Sequence, residues 1–257
     1  MKRSRAFVSN RRSEIASLVN GRGQIGVVQL SEELGVSIST IRRDLDYLEM
    51  QGVLTRRYGA VFATSTPHEE VDDYAARAKK AIERTAASYV GPDETIFVSA
   101  STTSIGIVPH LSAPGVTIIT NNTAILHMEH PADSTVLLAG GEIRGSRGIL
   151  CGELTLSSLS IVATTKAFVG CLGLSVESGA TSLTIQEVPI NTQMIERSQD
   201  TYLLADSSKL GISLGFKYAN LSCFSAIVTD TGVSDEDVRR LEQAGAKKIV
   251  RVNPEAA

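Results

Sequence analysis

Tryptophan is absent from this 257-residue chain, and aromatic residues make up only 5% of it. A packed core must therefore be aliphatic, and a hydrophobic fraction of 42% is enough to supply one, which favours an α/β protein. No apolar run approaches the roughly 18 residues of a membrane-spanning helix. No apolar stretch follows the charged first residues, as it would in a secretion signal. We therefore expect a cytoplasmic protein without membrane contact.

Cysteine is scarce as well, and its three occurrences are Cys151, Cys171 and Cys223. An odd number of cysteines without paired metal-ligand spacing favours reduced thiols in or near the core. His127 and His130 are spaced as neighbours on a helix, but no nearby carboxylate or cysteine completes a convincing ligand set. The sequence therefore predicts no metal site and no cofactor.

Charge is unevenly distributed along the chain. Residues 1–60 contain ten lysines and arginines against six acidic residues, a net charge of +4, whereas the whole chain carries −3 and the remainder therefore −7. A basic end on an otherwise acidic protein predicts a polyanionic partner at that end only.

Residues 30–48, LSEELGVSISTIRRDLDYL, have the pattern of two short amphipathic helices joined by a glycine turn. At about 100° per residue, four apolar side chains share one face of the second helix: Ile38, Ile41, Leu45 and Leu48. Gly35 can take the left-handed conformation that ends a helix. An earlier amphipathic segment starts near Asn10. Three short helices with a tight turn before the last predict a helix-turn-helix.

The opposite face of the last helix carries the side chains that we predict to enter a DNA groove: Ser39, Thr40, Arg43 and Tyr47. Arg43, at the centre of this face, suits bidentate contact with guanine. Residues that follow the helix predict a small hairpin, or wing. Four further residues are predicted to hold the phosphates of double-stranded DNA: Ser37, as the N-cap, with Arg42, Arg56 and Arg57. The alternative is a solvated helical hairpin whose arginines only maintain solubility.

The rest of the chain alternates between short apolar runs and segments with helical spacing. The predicted strands are 95–99, 116–120, 135–139, 167–170, 201–205, 226–229 and 248–252, and the predicted helices include 74–90, 104–111, 123–128, 189–198 and 235–244. This alternation predicts a mostly parallel sheet with helices on both faces. We divide the chain into a DNA-binding domain at 1–62, a polar linker at 63–74 and an α/β effector-sensing and oligomerisation domain at 75–257.

Small and polar residues follow directly on five of these strands, where ligands bind in open α/β sheets. The predicted effector residues are Ser99, Ser101, Thr102, Thr103, Asn121, Gly140, Gly141, Arg144, Gly173, Glu187, Asp206 and Lys209. Hydroxyls and amides at 101–103 suit a phosphate, and the remaining charged and amide groups suit sugar hydroxyls. We predict a polyhydroxylated anion as the ligand. The alternative is that each serine or threonine simply caps the helix after its strand.

Residues 12–60 resemble the winged helix of the DeoR family of bacterial transcriptional regulators, above all in Thr40-Ile41-Arg42-Arg43-Asp44-Leu45 and the later Gly52-Val53-Leu54. The family usually closes the wing with two glycines, where this chain has Gly59-Ala60.

The second half of the chain resembles the DeoR-type sensor domain, which is similar in fold to ribose-5-phosphate isomerase. Matching positions are Thr102-Thr103, Thr120-Asn121, Gly140-Gly141 with Arg144, Gly152, Phe168-Val169-Gly170 with Gly173, Glu187, Asp206-Ser207-Ser208-Lys209 and Thr229-Asp230. The resemblance implies that a phosphorylated sugar or related metabolite is the effector. The family commonly has aspartate and glycine where this chain has Ser99 and Ser101. A side chain at position 101 restricts the backbone where it approaches a phosphate.

Three functions remain open. The leading one is a repressor of carbohydrate-metabolism genes whose effector changes its affinity for an operator. Reading two half-sites requires a homo-oligomer, a dimer or a tetramer. The second is a constitutive DNA-binding protein with a degenerate sensor. The third is an isomerase-like enzyme in which Asp206, Lys209 and Glu187 move protons. We predict the regulator, and we predict no enzyme activity.

Overall fold

The computed structural model describes residues 5–22, 24–50, 53–57, 60–63, 69–144 and 148–256. The chain forms two compact units, residues 1–70 and 71–257. No helix in the described ranges is long and apolar enough to cross a membrane.

The first unit contains three helices and a small antiparallel sheet. Its elements are α1 (Arg5–Arg22), β1 (Gln24–Gly26), α2 (Val27–Glu33), α3 (Ile38–Met50), β2 (Leu54–Arg57) and β3 (Ala60–Ala63). The strand order is β1-β3-β2, and β2 pairs with β3 in the hairpin that the sequence predicts as the wing. The helix-turn-helix prediction is therefore confirmed. Two details differ: α1 begins at Arg5 rather than near Asn10, and β1 was not predicted.

The core of the first unit is aliphatic. Ile41 and Leu45 of α3 are fully buried together with Ile15 of α1 and Leu30 of α2. The turn before α3 is tight because Gly35 adopts a φ of +60°, a conformation that glycine tolerates without strain. The prediction was wrong for one residue of the apolar face of α3. Ile38 is 39% exposed, since it begins α3 and lies beyond the helices that cover the next turns.

A buried carboxylate joins α1 to α3. Asp44 of α3 accepts hydrogen bonds from Nε of Arg11 at 2.6 Å and from Nε of Arg12 at 2.9 Å. A buried charge is tolerated only when it is paired and hydrogen-bonded. Two of the basic residues counted towards the charge of the N-terminal end are thus internal partners of Asp44.

The second unit mixes helices with parallel and antiparallel strands. Its elements are α4 (Glu69–Ala87), β4 (Thr95–Val98), α5 (Thr102–Ile105), β5 (Thr117–Thr120), β6 (Thr135–Leu138), β7 (Glu142–Arg144), β8 (Ile149–Cys151), α6 (Glu153–Ser160), β9 (Thr164–Gly170), β10 (Gly173–Ser175), β11 (Gly179–Ser182), α7 (Glu187–Glu196), β12 (Ser198–Leu204), β13 (Phe216–Ala219), β14 (Ala226–Asp230), α8 (Asp235–Gln243) and β15 (Ile249–Val252). Short 3₁₀ turns at Val108–His110, Thr123–His127 and Ser207–Lys209 connect some of them.

Seven parallel strands form the central sheet in the order β15-β14-β12-β9-β4-β5-β6. All seven predicted strands are in it, so the fold-class prediction is confirmed. The chain order reverses where β4 pairs with both β5 and β9, which is the switch point at which open α/β sheets bind ligands. The β7–β8 hairpin and the β10-β11-β13 sheet were not predicted.

Alternate residues of the central strands pack on opposite faces of the sheet. Val98 and Phe168 belong to the core on the side of α4, whereas Phe97 and Val169 belong to the core on the side of α7 and α8. Each face thus buries its own aliphatic layer, and helices cover both faces as the sequence predicts.

Several predicted boundaries need correction. α4 begins at Glu69, so part of the predicted linker at 63–74 is helical, and residues 64–68 lie outside the described residues. The predicted helix at 104–111 is a short α5 followed by a 3₁₀ turn, and that at 123–128 is also a 3₁₀ turn. Cys151 is buried and Cys171 half-buried, but Cys223 is exposed, so the prediction of a core or near-core thiol was wrong for Cys223.

We expect Asp44→Ala to lower the free energy of unfolding of the first unit by about 3 kcal/mol, because it leaves the buried Arg11 guanidinium without its carboxylate. Urea titration of the full chain, with hydrogen exchange read in α1 and α3, measures this loss. Glu33→Ala is the matched control, since it breaks the exposed Arg22–Glu33 ion pair of 2.7 Å and should change little. Equal destabilisation by both changes would contradict the anchoring role of Asp44.

Candidate functional site

The polar face of α3 is open to solvent. Arg43 is exposed, and Tyr47 is 44% exposed. Ser37 caps the helix, since its Oγ accepts a hydrogen bond from the amide of Thr40 at 3.3 Å and lies 2.9 Å from the Thr40 hydroxyl. Ser37 thus caps the N-terminus of α3, and Arg43 and Tyr47 are exposed one and two turns further along the helix.

Arg12 of α1 lies beside this face, and it was not among the predicted DNA-contacting residues. Its guanidinium carbon lies 3.7 Å from the centroid of the Tyr47 ring, in cation–π contact. The same guanidinium donates to Asp44. Tyr47 is therefore positioned by Arg12, and a cationic side chain sits beside the predicted groove-binding residues.

The structure does not describe four of the predicted DNA-contacting side chains. Ser39 and Arg42 belong to α3, and Arg56 and Arg57 belong to β2. Their side chains lie outside the described residues. Their assignment to DNA contact remains a prediction.

In the second unit, the loops after β4, β5 and β9 meet at the carboxyl edge of the sheet. Ser99 Oγ accepts hydrogen bonds from the amides of Gly170 at 3.4 Å and Ser101 at 3.5 Å. Asn122 Nδ2 donates to the carbonyl of Ala100 at 3.1 Å. The parallel register and these contacts bring three of the five predicted loops together.

The hydroxyl of Ser101 occupies the start of α5. Its Oγ accepts from the amides of Thr103 at 3.3 Å and Ser104 at 3.5 Å. The Thr103 amide is one of the groups at 101–103 that were predicted to hold a phosphate. An anion bound there must displace the Ser101 hydroxyl. Thr102 is exposed and Thr103 is buried.

Gly170 allows the β9 end to approach the first loop closely. A β-carbon at this position would lie 2.5 Å from the β-carbon of Ser101, far inside van der Waals contact. The carbonyl of Gly170 accepts a hydrogen bond of 2.8 Å from the hydroxyl of Tyr218. Tyr218, on β13, is buried and was missed because nothing in its local sequence links β13 to β9.

The environment around Tyr218 keeps two acidic groups protonated. Burial raises the pKa of Tyr218 well above its ordinary value, and the proximity of Cys171 and Glu187 adds to this shift. Burial also raises the pKa of Cys171 to about 12, opposed by Lys209 and reinforced by Asp206. Cys171 is therefore a thiol at neutral pH. Glu187 therefore acts electrostatically on Tyr218, and Lys209 and Asp206 act on Cys171.

The predicted sugar-binding carboxylates already have protein partners. Glu187 Oε2 accepts from the hydroxyl of Ser182 at 2.6 Å. Asp206 Oδ1 accepts from the amide of Ser208 at 3.0 Å, and its other oxygen lies 3.8 Å from Nζ of Lys209. A ligand here would meet carboxylates whose positions are fixed.

Asn121 and the glycines contribute in part to packing. Asn121 Nδ2 donates to the carbonyl of Leu150 at 3.0 Å, which holds the β7–β8 hairpin against the end of β5. Gly173 approaches the carbonyl of Ile212 too closely for a side chain, and Gly141 does the same at the carbonyl of Cys151. The Arg144 side chain lies outside the described residues.

Three buried polar atoms at this end of the sheet lack a hydrogen-bond partner among the described residues: Ser104 Oγ, Asn121 Oδ1 and Thr229 Oγ1. Buried polar atoms are normally paired, by water or a ligand where protein groups do not reach them. Three hydrogen-bonding positions near this edge are thus not filled by the described protein groups.

A depression of about 530 Å³ lies at the opposite, amino edge, where Thr95, Thr164 and Ser198 line it. The Lys166–Glu94 ion pair and the Thr164–Ser198 hydroxyl pair occupy this region. These contacts join neighbouring strands. Ligands in open α/β sheets bind at the carboxyl edge, so we place the candidate site there.

Comparisons with known proteins match both units. Residues 11–66 match the DeoR-like helix-turn-helix domain, and residues 75–231 match the DeoR C terminal sensor domain. The chain is 32% identical to the uncharacterized HTH-type transcriptional regulator YulB of Bacillus subtilis, over 94% of this chain and 96% of that protein.

It is also 31% identical to the lactose phosphotransferase system repressor of Staphylococcus epidermidis, over 86% of this chain and 91% of that protein. A solved D-ribose-5-phosphate isomerase in complex with phospho-erythronic acid aligns with a TM-score of 0.38 and 15% identity, over 52% of this chain and 54% of that one.

We expect Gly170→Ala to destabilise the second unit by about 2 kcal/mol, because the new methyl group overpacks the contact with Ser101. Thermal and urea unfolding of the full chain measure the change. Gly140→Ala is the control at the same edge: its β-carbon would meet only Ser158 Oγ at 3.7 Å, an ordinary contact. A Gly170→Ala protein as stable as Gly140→Ala would show that the close approach is not required.

Proposed function

Because the chain belongs to the DeoR family of transcriptional regulators, we propose that it represses carbohydrate-metabolism genes in the cytoplasm and releases its operator in response to a phosphorylated sugar. The observation that carries this proposal is the presence, in one chain, of an exposed polar α3 face and a polar carboxyl edge on a parallel sheet. One relative is named as a repressor of a lactose phosphotransferase system, which supports a sugar-linked role.

In this proposal the two kinds of DNA contact are divided between α3 and its surroundings. Arg43, Ser39, Thr40 and Tyr47 read bases in the major groove, and Ser37, Arg42, Arg56 and Arg57 hold phosphates. Phosphate contacts set affinity, whereas base contacts set sequence preference. Reading two half-sites together requires a homo-oligomer, a dimer or a tetramer.

An enzyme activity is not proposed. Asp206 caps the turn that follows it and faces Lys209, and Glu187 is bound by Ser182. The relatives that match most of the chain are named as transcriptional regulators or repressors.

The effector proposed for the carboxyl edge is a phosphorylated sugar whose hydroxyl groups pair with the unpartnered polar atoms there. Ser101 is expected to weaken the hold on the phosphate, because its hydroxyl competes for the amides of Thr103 and Ser104. A constitutive regulator with a degenerate sensor is the alternative that the same serine favours.

We expect Arg43→Ala to relax sequence preference at one position of the operator, at a cost of about 1–3 kcal/mol for the preferred base. Arg57→Ala should weaken binding to all sequences and reduce the salt slope by about 1. Fluorescence anisotropy with the operator and its single-base variants, at several salt concentrations, measures both. Arg239→Ala, an equal charge change on α8, is the control. The same salt slope and base preference in both variants would contradict the proposed division.

We expect one phosphorylated sugar in a panel to raise the melting temperature of the full chain, because it binds only the folded state. The panel contains fructose 1-phosphate, fructose 6-phosphate, glucose 6-phosphate, glycerol 3-phosphate, the free sugars and inorganic phosphate.

Ser101→Gly should tighten binding of the phosphorylated ligand about tenfold, or ~1.4 kcal/mol. Ser88→Gly, after α4, controls for the added glycine. No response to any ligand would favour the degenerate sensor.

A further inference from the structure

Asp230, the last residue of β14, is a fully buried carboxylate held by donors from separate parts of the chain. Its Oδ1 accepts from the amide of Ser207 at 2.6 Å. Its Oδ2 accepts from the hydroxyl of Tyr74 and from the amide of Gly232, each at 2.9 Å. One carboxylate therefore joins the loop after β12 to the first turns of α4.

The charge of Asp230 is maintained despite its burial. Burial alone would raise the pKa of this carboxyl, but the donors from Ser207, Gly232 and Tyr74 together lower it below its ordinary value. Asp230 is thus ionised at neutral pH and acts only as an acceptor. Loss of any one donor leaves a buried charge less well satisfied, which couples the three contacts energetically.

The two segments that Asp230 joins have different roles in the proposed function. Ser207 lies between Asp206 and Lys209, both predicted effector residues. Tyr74 lies on α4, which follows residues 64–68 directly and therefore begins where the chain leaves the first unit. Asp230 follows Ser207 by 23 residues and Tyr74 by 156 residues in the sequence, so its carboxylate joins two distant segments of the chain.

The packing at Asp230 leaves little space for independent movement. A β-carbon at Gly232 would lie 2.5 Å from Ser207 Oγ and 2.7 Å from Asp230 Oδ2. A displacement of the Ser207 loop must therefore change the hydrogen bonds of Asp230. Since Tyr74 shares the same carboxylate, that change reaches α4.

We propose that Asp230 is a positioning residue that transmits effector binding at the 206–209 loop to the start of α4, and so to the segment that leads from the DNA-binding unit. The proposal rests on the proposed function, because it assigns the loop to the effector. The physical link is the Asp230 carboxylate, which accepts hydrogen bonds from both segments.

Two substitutions each remove the donors on one side of Asp230. Ser207→Pro removes both the amide and the hydroxyl of Ser207, and Tyr74→Phe removes the hydroxyl of Tyr74. Ser207 is the first residue of a 3₁₀ turn, and Asp206 before it has φ −66° and ψ 160°, a conformation suited to the residue preceding proline. Ser207→Pro therefore deletes the amide donor at a position that tolerates proline. Tyr74→Phe deletes the hydroxyl donor from the other side.

Hydrogen–deuterium exchange of the full chain tests the link without a ligand. We expect Ser207→Pro to accelerate exchange at residues 70–78 about fivefold, and Tyr74→Phe to accelerate it at residues 206–211. In an Asp230→Asn background each change should add little. Ser208→Ala, which alters the same loop at a hydroxyl bound to Asp206, should leave α4 unchanged. Unchanged α4 exchange in folded Ser207→Pro, or an unchanged loop in Tyr74→Phe, would overturn the proposal.

Operator binding separates this proposal from the proposed function. The ligand is fructose 1-phosphate, or whichever sugar of the panel releases DNA. Tyr74→Phe should retain the wild-type affinity for DNA and for this sugar. It should lose at least half of the fold-change in DNA affinity that the sugar causes. A full response in Tyr74→Phe would overturn the link while leaving the regulator intact. A wild-type chain that ignores every sugar contradicts the proposed effector, and the exchange experiment then decides the link alone.

Discussion

Parallel pairing of the seven central strands determines where the polar loops of the second unit meet. Because every strand of the sheet runs in the same direction, all the loops that follow strands emerge at a single edge. Gly170 is thereby brought into contact with Ser99, and Asn122 with Ala100, from separate parts of the chain. The same register places Asp230 at that edge, at the end of β14, where the Ser207 amide reaches it.

Buried carboxylates perform the long-range positioning in both units. Asp44 fixes α1 on α3 through two arginines, and one of them, Arg12, also stacks on Tyr47. Asp230 is held instead by neutral donors, which satisfy the charge without neutralising it. This difference has a physical consequence. An ion pair holds two helices together, whereas a carboxylate that accepts several single hydrogen bonds can change its remaining bonds when one donor moves.

The strands of the central sheet were predictable because each contains an apolar run, bounded by polar or small residues. Most strands of the β7–β8 hairpin and the small sheet were not, since β7, β10 and β11 each contain a single apolar residue rather than an apolar run. Ile38 was wrongly placed in the core because a helical wheel does not show where covering elements end. The Tyr74–Asp230 contact joins residues 156 apart, so no local pattern indicates it. Ser101 was singled out as unusual from the sequence, but its hydrogen bonds to the α5 amides required coordinates.

Selection of genomic DNA fragments by the purified full chain, sequenced with and without each phosphorylated sugar, tests the central claim most directly. The account predicts that the retained fragments share a repeated half-site upstream of carbohydrate-metabolism genes, and that one sugar abolishes their retention. Retention of fragments without a common motif, or a motif that stays equally strict at every position when Arg43 is replaced by alanine, would contradict it.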